Sequence, residues 1–382
     1  MIFVFVAHKF NFFGVILTTK IKNHSKMKVI GLMSGTSTDG VDIAYCDFEL
    51  KNQQWNFKII EATTKKYDSE WVKKLKNAVN LPGTELMALD AEYGTFLGQL
   101  VKDFTEDGGF QPNLIASHGH TVFHNPAKYS FQIGSGAHIA AKMLLPVVSN
   151  FRQTDTAKGG QGAPLVSLGD KLLFHEYDAC LNLGGFANIS FDWKKERIGF
   201  DICPVNVVLN YVASKLFLPF DPNGENAAKG KMIPELYREL NHLEYYQMHP
   251  PKSLGMEWVN KFVIPLIEKY SYHEIPDILH TLTEHIAMQI AKVLNHYSLY
   301  TVLTTGGGVY NSYLITRINA HLDHKKIPQG KVLAIPEPDI IDFKEALIFA
   351  FLGMLRYQRK INILSSYTGA ESDSVGGTVW FP

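Results

Sequence analysis

Residues 28–33, KVIGLM, are apolar and run into Ser-Gly-Thr-Ser, which predicts a buried strand ending in a turn. VDIAYCDF at 41–48 predicts a second strand and 55–61 a third. The tight turn between the first two makes this opening meander antiparallel. Helical spacing follows over 68–79 and 85–106, then a strand at 113–117, a helix at 136–144 and a strand at 146–149. From about 178 the pattern begins again. ACLNLGGFANISF reads as strand, glycine turn and strand, RIGFD as a short third strand, and 206–217 as a helix. Helices are expected at 256–270 and 276–297, a strand at 300–304 running into three glycines, and a long apolar helix at 344–358. Two halves that open alike form a weak internal repeat. Strands alternating with helices in both predict an α/β fold with mixed sheets.

The length of 382 residues exceeds one comfortable core and predicts two domains. Their expected bounds are 27–177 and 178–382. Lys plus Arg equals Asp plus Glu at 37 each, so no global charge draws the chain to nucleic acid or an anionic membrane. Cys46, Cys180 and Cys203 are far apart and show no zinc spacing, which fits free thiols in a reducing, cytoplasmic compartment. The first 26 residues are apolar and aromatic, but His8, Lys9 and Asn11 interrupt them. They are too broken for a membrane span and lack the flanks of a signal peptide. The expected reading is that translation starts at Met27 and that 1–26 is a spurious or disordered extension.

Three glycine turns carry the candidate chemistry. The first is GLMSGTSTDGVD at 31–42, where small and hydroxyl residues meet two carboxylates, Asp39 and Asp42. Its backbone N–H groups and hydroxyls could cradle phosphate, and Asp39 or Asp42 could hold Mg²⁺. An ordinary Ser/Thr/Gly hairpin explains the same residues. The second turn, Asn182 to Asn188, pairs Gly184 with Gly185 and allows close approach of a ligand or a plain hairpin. The third is Thr304-Thr305-Gly306-Gly307-Gly308, which either lies against a nucleotide or merely turns strand into helix. GxxxxGK[ST] is absent, and so are a protein-kinase catalytic loop and DFG.

GLMSGTSTDGVD, SHGHTVFH, QIG, NFRQTD, GGQGAPL, LNLGGFANI, GFD, PPKS, TGGG, EALIFAFL and TGA occur in that order across 29–370. As a set they resemble the anhydro-N-acetylmuramic acid kinases, of the actin, hexokinase and Hsp70-like group. The resemblance implies two RNase H-like domains around a central cleft. It also implies ATP and Mg²⁺ as cofactors and a small sugar as partner, with neither nucleic acid nor membrane; a homodimer is allowed for. Ser34, Gly35, Thr36, Ser37, Asp39 and Gly40 become the first phosphate hairpin, Asn182, Gly184 and Gly185 the second, and Gly306, Gly307 and Gly308 the nucleoside contact. Asp39 and Asp42 become the metal carboxylates.

The implied reaction attacks C1 of the 1,6-anhydro sugar with water while O6 leaves toward the γ-phosphorus of ATP. Asp201 is the implied base; the other reading of it is a cap for the helix at 206. Arg152 is implied to fork onto the lactyl carboxylate, or else pairs with Asp155 or Asp170. Thr121 is assigned to a sugar hydroxyl. Glu345 either faces the sugar or supplies negative charge at a helix start. His120 stands where the family more often has Gln. Ile202-Cys203-Pro204-Val205-Asn206 replaces the commoner Thr-Gly-Pro-Gly-Asn, which puts contacts made through those glycines in question. Two rival functions remain: a catalytically silent ATP-binding regulator, and a kinase for another sugar.

Overall fold

The computed structural model describes residues 26–35, 38–125, 128–194, 196–250, 252–323 and 332–382. Residues 1–25 of the extension expected at 1–26, and Thr36 and Ser37 of the first hairpin, lie outside the described residues, whereas Lys26, the last residue of that extension, opens the first strand.

The first sheet begins as the meander the apolar pattern predicts. β1 (Lys26–Ser34) pairs antiparallel with β2 (Gly40–Lys51), and β2 pairs antiparallel with β3 (Gln54–Lys66). On the other side of β1 the sheet is parallel, through β4 (Leu114–Asn125) to β6 (Val147–Ser149). β5 (Tyr129–Ile133) folds back on the far end of β4. The second sheet repeats the plan. β7 (Ala179–Leu183), β8 (Phe186–Trp193) and β9 (Glu196–Pro204) form an antiparallel meander. β10 (Val302–Thr305) and β11 (Leu333–Ala334) add parallel strands beside β7. Both sheets therefore run third, second, first, fourth and fifth strand in space, counting along each half without the β5 hairpin. This is the RNase H-like arrangement, present twice.

Helices cover the outer face of the first sheet. α1 (Ser69–Asn77) starts where the Asp68 side chain accepts from Trp71 N–H at 2.8 Å, and α2 (Gly83–Gly108) ends at Gly109, whose φ of +62° suits glycine. α3 (Gly136–Met143) follows on that face, whereas the short α4 (Ser167–Leu173) packs in the cluster shared by the two sheets. In the second half α5 (Asn206–Ala213), α6 (Ile275–Tyr297) and α7 (Ser312–His321) pack on the second sheet.

α8 (Pro338–Tyr357) lies between the sheets. Its apolar residues 346–352 pack in one cluster with Val29 and Ala44 of the first sheet and with Cys180 and Leu303 of the second. A side chain at Gly31 would collide with the Ala346 carbonyl, so glycine there permits the close approach of helix to β1. The chain then adds β12 (Thr378–Trp380), antiparallel to β6, on the edge of the first sheet. Contacts from α8 and β12 thus cross the expected boundary at 177/178.

The helix expected at 344–358 starts earlier than its apolar pattern, because Pro338 fixes the first turn and Asp339 suits its positive end. β5 and β12 were invisible to periodicity because each is short and depends on a partner strand.

Candidate active site

A cleft of about 420 Å³ opens between the halves. Gly35, Asp39, Gly40 and Asp42 line it from the first hairpin, and Asn182, Gly306 and Gly307 from the second half. Asp342, Lys344 and Glu345 line it from α8. Much of the expected nucleotide and metal set therefore converges on one space. Gly184, Gly185, Gly308, Thr121, Arg152 and Asp201 stand outside that lining.

Ser34 is placed differently from a ligand contact. Its buried hydroxyl bonds the Tyr67 hydroxyl at 2.7 Å and His120 Nδ1 at 3.3 Å, and Tyr67 bonds Tyr93 behind it. Ser34 and His120 brace the hairpin from within. Burial lowers the pKa of His120, so the ring favours its neutral form. Asp42 accepts from Thr64 Oγ1 at 2.6 Å. Burial raises its carboxyl pKa, Thr64 opposes the rise, and the nearby Asp39 and Asp342 add to it.

The glycine run divides its work. Gly306 has φ +85°, and a Cβ there would overlap the Asn182 side-chain oxygen. Gly308 packs on Leu183, whereas a Cβ on Gly307 would meet only Asn206 Nδ2, at 3.9 Å. Gly307 is therefore the open member of the run and faces the cleft. Gly306→Ala should destabilise the fold by about 1–3 kcal/mol, because it forces a non-glycine residue into a sparsely populated conformation. Gly307→Ala should leave the melting temperature unchanged but raise KM for ATP about tenfold, the cost of roughly 1.4 kcal/mol in binding. Thermal melts and initial rates on both variants decide this; equal melting losses would remove the distinction.

The Gly184–Gly185 turn is fastened to the start of α5. Val205 N–H donates to Gly185 O at 2.8 Å, Asn206 N–H to Gly184 O at 3.3 Å, and Asn206 Nδ2 to Leu183 O at 3.2 Å. Ile202, Cys203 and Val205, where this chain departs from the commoner pattern, are buried in the second core. The side chains that stand in place of the commoner glycines pack into the second core and do not line the cleft.

Asp201 sits inside β9, three residues before its end, and α5 begins at Asn206 with no side-chain cap. The helix-cap alternative is therefore wrong. Its Oδ2 accepts from Leu254 N–H at 2.8 Å, while Oδ1 accepts no hydrogen bond among the described residues. Burial raises its carboxyl pKa, against the Leu254 bond. A carboxylate with one oxygen tethered, the other unengaged and a raised pKa suits a proton acceptor.

Arg152 pairs with neither Asp155 nor Asp170. Its Nε and Nη2 both donate to His118 Nε2, at 3.0 and 2.8 Å, and Nη1 donates to Gly162 O at 2.9 Å. His118 Nδ1 then carries the proton and donates to Gly119 O at 2.9 Å. Burial and the Arg152 charge push the His118 pKa down to about 3, so the ring stays neutral. Guanidinium has five N–H donors and three are engaged here, which leaves two for an anion. Burial pulls the Arg152 pKa to about 10, and Glu345 opposes that shift. Thr121 Oγ1 accepts from Gln132 Nε2 at 3.4 Å on the β4–β5 hairpin.

Glu345 lies two turns inside α8, so it is not a helix-start charge. It is open to the water of the cleft yet walled in by protein, which raises its pKa, while Lys344 and Arg152 oppose the rise. Lys344 was missed by the sequence pattern. Its buried Nζ lies 3.3 Å from Asp170 Oδ1. Asp170 Oδ2 accepts from Ser190 Oγ at 2.7 Å, and Ser190 accepts from Arg197 at 2.9 Å. This chain ties α8 to α4 and to the second sheet beneath the cleft. Thr38 and Thr305 were also missed: both hydroxyls are buried without a hydrogen-bond partner among the described residues, and Thr305 lines the cleft.

No group of three metal-ligating side chains is assembled among the described residues, and no described helix is long and apolar enough to cross a membrane. A family model described as anhydro-N-acetylmuramic acid kinase matches residues 27–382. The chain is 33% identical over 378 residues to the anhydro-N-acetylmuramic acid kinase of Francisella tularensis subsp. novicida, covering 92% of this chain and 98% of that one. It is 32% identical over 385 residues to the Bacillus cereus kinase of the same name, covering 93% and 100%. In structure it is similar to the activator of 2-hydroxyisocaproyl-CoA dehydratase from Clostridium difficile with bound ADPNP, at TM-score 0.42 and 12% identity, covering 87% and 96%. The match of the family model over the two halves and the cleft between them shows that this chain belongs to the anhydro-N-acetylmuramic acid kinase family.

Proposed function

We propose that the chain uses ATP to open the anhydro ring of anhydro-N-acetylmuramic acid, giving N-acetylmuramic acid 6-phosphate in the cytoplasm during cell-wall recycling. The observation that carries this reading is the meeting of the first hairpin, Asn182, the glycine run and Glu345 around one cleft, in a chain of this family. ATP lies with its phosphates between Gly35, Asp39 and Gly40 on one side and Asn182 on the other, and its nucleoside against Gly307. The Thr305 hydroxyl, which lines the cleft and has no partner among the described residues, fits a phosphate oxygen. The two spare N–H groups of Arg152 take the lactyl carboxylate, and Thr121 takes a sugar hydroxyl.

Asp201 Oδ1 accepts a proton from water as that water bonds to C1. The C1–O6 bond breaks, O6 bonds to the γ-phosphorus, and ADP leaves with the electrons of the broken P–O bond. The residues fit a divalent cation: Asp42 is held among the like charges of Asp39 and Asp342, and a cation relieves that repulsion. Asp39 and Asp42 would hold Mg²⁺, with phosphate oxygens and water completing its shell. When bound, the metal neutralises phosphate charge. Ile202, Cys203 and Val205 are buried in the second core rather than lining the cleft, which supports the catalytic reading over a catalytically silent protein.

The test is turnover in ¹⁸O water, with the product trapped before anomeric exchange. One solvent oxygen at C1 and phosphate on O6 are expected by mass spectrometry. An unlabelled product would overturn the hydrolytic step, and lack of turnover on this sugar beside turnover on another would replace the substrate.

A further inference from the structure

Lys252 and Leu254, in and beside PPKS, and Tyr245 upstream of it play no part in the contacts so far assigned to ATP or sugar, yet together they grip Asp201 at three points. Asp201 N–H donates to Lys252 O at 3.3 Å, and Leu254 N–H donates to Asp201 Oδ2 at 2.8 Å. The Tyr245 hydroxyl donates to Asp201 O at 2.6 Å. Burial, with Asp201 and Cys203 adding negative charge, raises the Tyr245 pKa, so the phenol keeps its proton and acts as the donor. Lys252 locks the grip. Its Nζ donates to Tyr245 O at 3.2 Å, and its ammonium lies 4.5 Å from the Tyr245 ring centroid and 5.8 Å from that of Phe200. Phe200 immediately precedes Asp201 on β9, so one cation rests on both the strand and the segment that holds it.

These contacts form a closed loop: strand to Tyr245, Tyr245 to Lys252, and Lys252 back to the strand. None of them uses the Asp201 oxygen left for water. Backbone bonds fix where the residue sits, and the Leu254 bond fixes how the carboxylate is turned. Among the described residues Lys252 forms no ion pair with Asp201, so its charge faces the rings rather than neutralising the base.

We propose that Tyr245 and Lys252 are positioning residues that hold Asp201 in the orientation from which it takes the proton of water. This rests on the reading of Asp201 as the base. A misplacement of a reacting group by about 1 Å can cost on the order of 10²-fold, so a partial loosening should show clearly in the rate.

The experiment compares Tyr245→Phe and Lys252→Met alone and combined with Asp201→Asn, by single-turnover kinetics on the full chain. Each single variant should lower kcat about tenfold, with KM for ATP and sugar within about twofold. In the Asp201→Asn background, each should change the remaining rate by less than about twofold, because the group they orient is gone. Lys252→Arg, which keeps a cation over the Tyr245 ring, should recover most of the rate. Wild-type rates in both single variants would overturn the proposal, and so would equal losses with and without Asp201. If Asp201→Asn itself turns over within about tenfold of wild type, the base assignment is what fails, and the clamp has nothing to act through.

Discussion

Asp201→Asn is expected to lower kcat by about 10²–10⁴-fold, the usual contribution of a positioned general base. The amide oxygen can still accept from Leu254 N–H, so the strand and its clamp keep their geometry. KM for ATP and for the sugar should therefore change little, which separates loss of a proton acceptor from loss of binding. The pH dependence has a fixed sign. Burial raises the Asp201 pKa, so the acid limb of kcat is shifted upward from the ordinary value of an aspartate. Activity falls as pH drops through the raised value, because the protonated carboxyl cannot accept a proton. The asparagine variant should lose this limb. Steady-state rates across pH check both points, and residual turnover within tenfold of wild type would remove Asp201 from the role.

Removing divalent cations with EDTA should abolish turnover, and added Mg²⁺ should restore it. Phosphoryl transfer depends mostly on positioning and on neutralising phosphate charge, and the cleft supplies carboxylates where that charge would gather. Asp42→Asn should raise the Mg²⁺ concentration needed for half-maximal rate by about tenfold or more, the equivalent of at least 1.4 kcal/mol. The raised pKa of Asp42 adds a second expectation. As pH falls, protonation of Asp42 competes with metal, so the Mg²⁺ requirement should rise toward acid pH. Titrating Mg²⁺ at several pH values reads both effects. Full turnover in metal-free buffer would defeat the metal assignment.

The repeated meander was legible because a buried strand, a small-residue turn and a second apolar strand are all local patterns. The same locality made Gly35, Asp39, Gly306 and Gly307 readable as turn residues before their convergence was known, whereas Asn182, read with the second turn, lies inside β7. What escaped was long-range. Lys344 meets Asp170 across 174 residues, and Leu254 meets Asp201 across 53. No periodicity encodes such partners. The alternatives for Arg152 failed for a related reason: nearby acids along the chain suggested an ion pair, but the fold supplies a neutral histidine 34 residues away. Ser34 looked like its hydroxyl neighbours in the turn, and only the stacking of β1 on β4 shows that it faces Tyr67 and His120.

The lodging of α8 between the sheets, with β12 on the edge of the first, bears on the order of synthesis. The face of β1 and β4 that α8 covers carries Val29, Leu114 and Ala116, and it stays bare while the second half is being made. At about 5–20 residues per second, the ribosome needs on the order of ten seconds or more to travel from β6 to the end of α8. Throughout that interval the nascent first half presents an uncovered apolar surface to chaperones and to other chains. The two halves look alike, but they do not mature in turn, because the earlier one is completed only by residues that follow the strands of the later one.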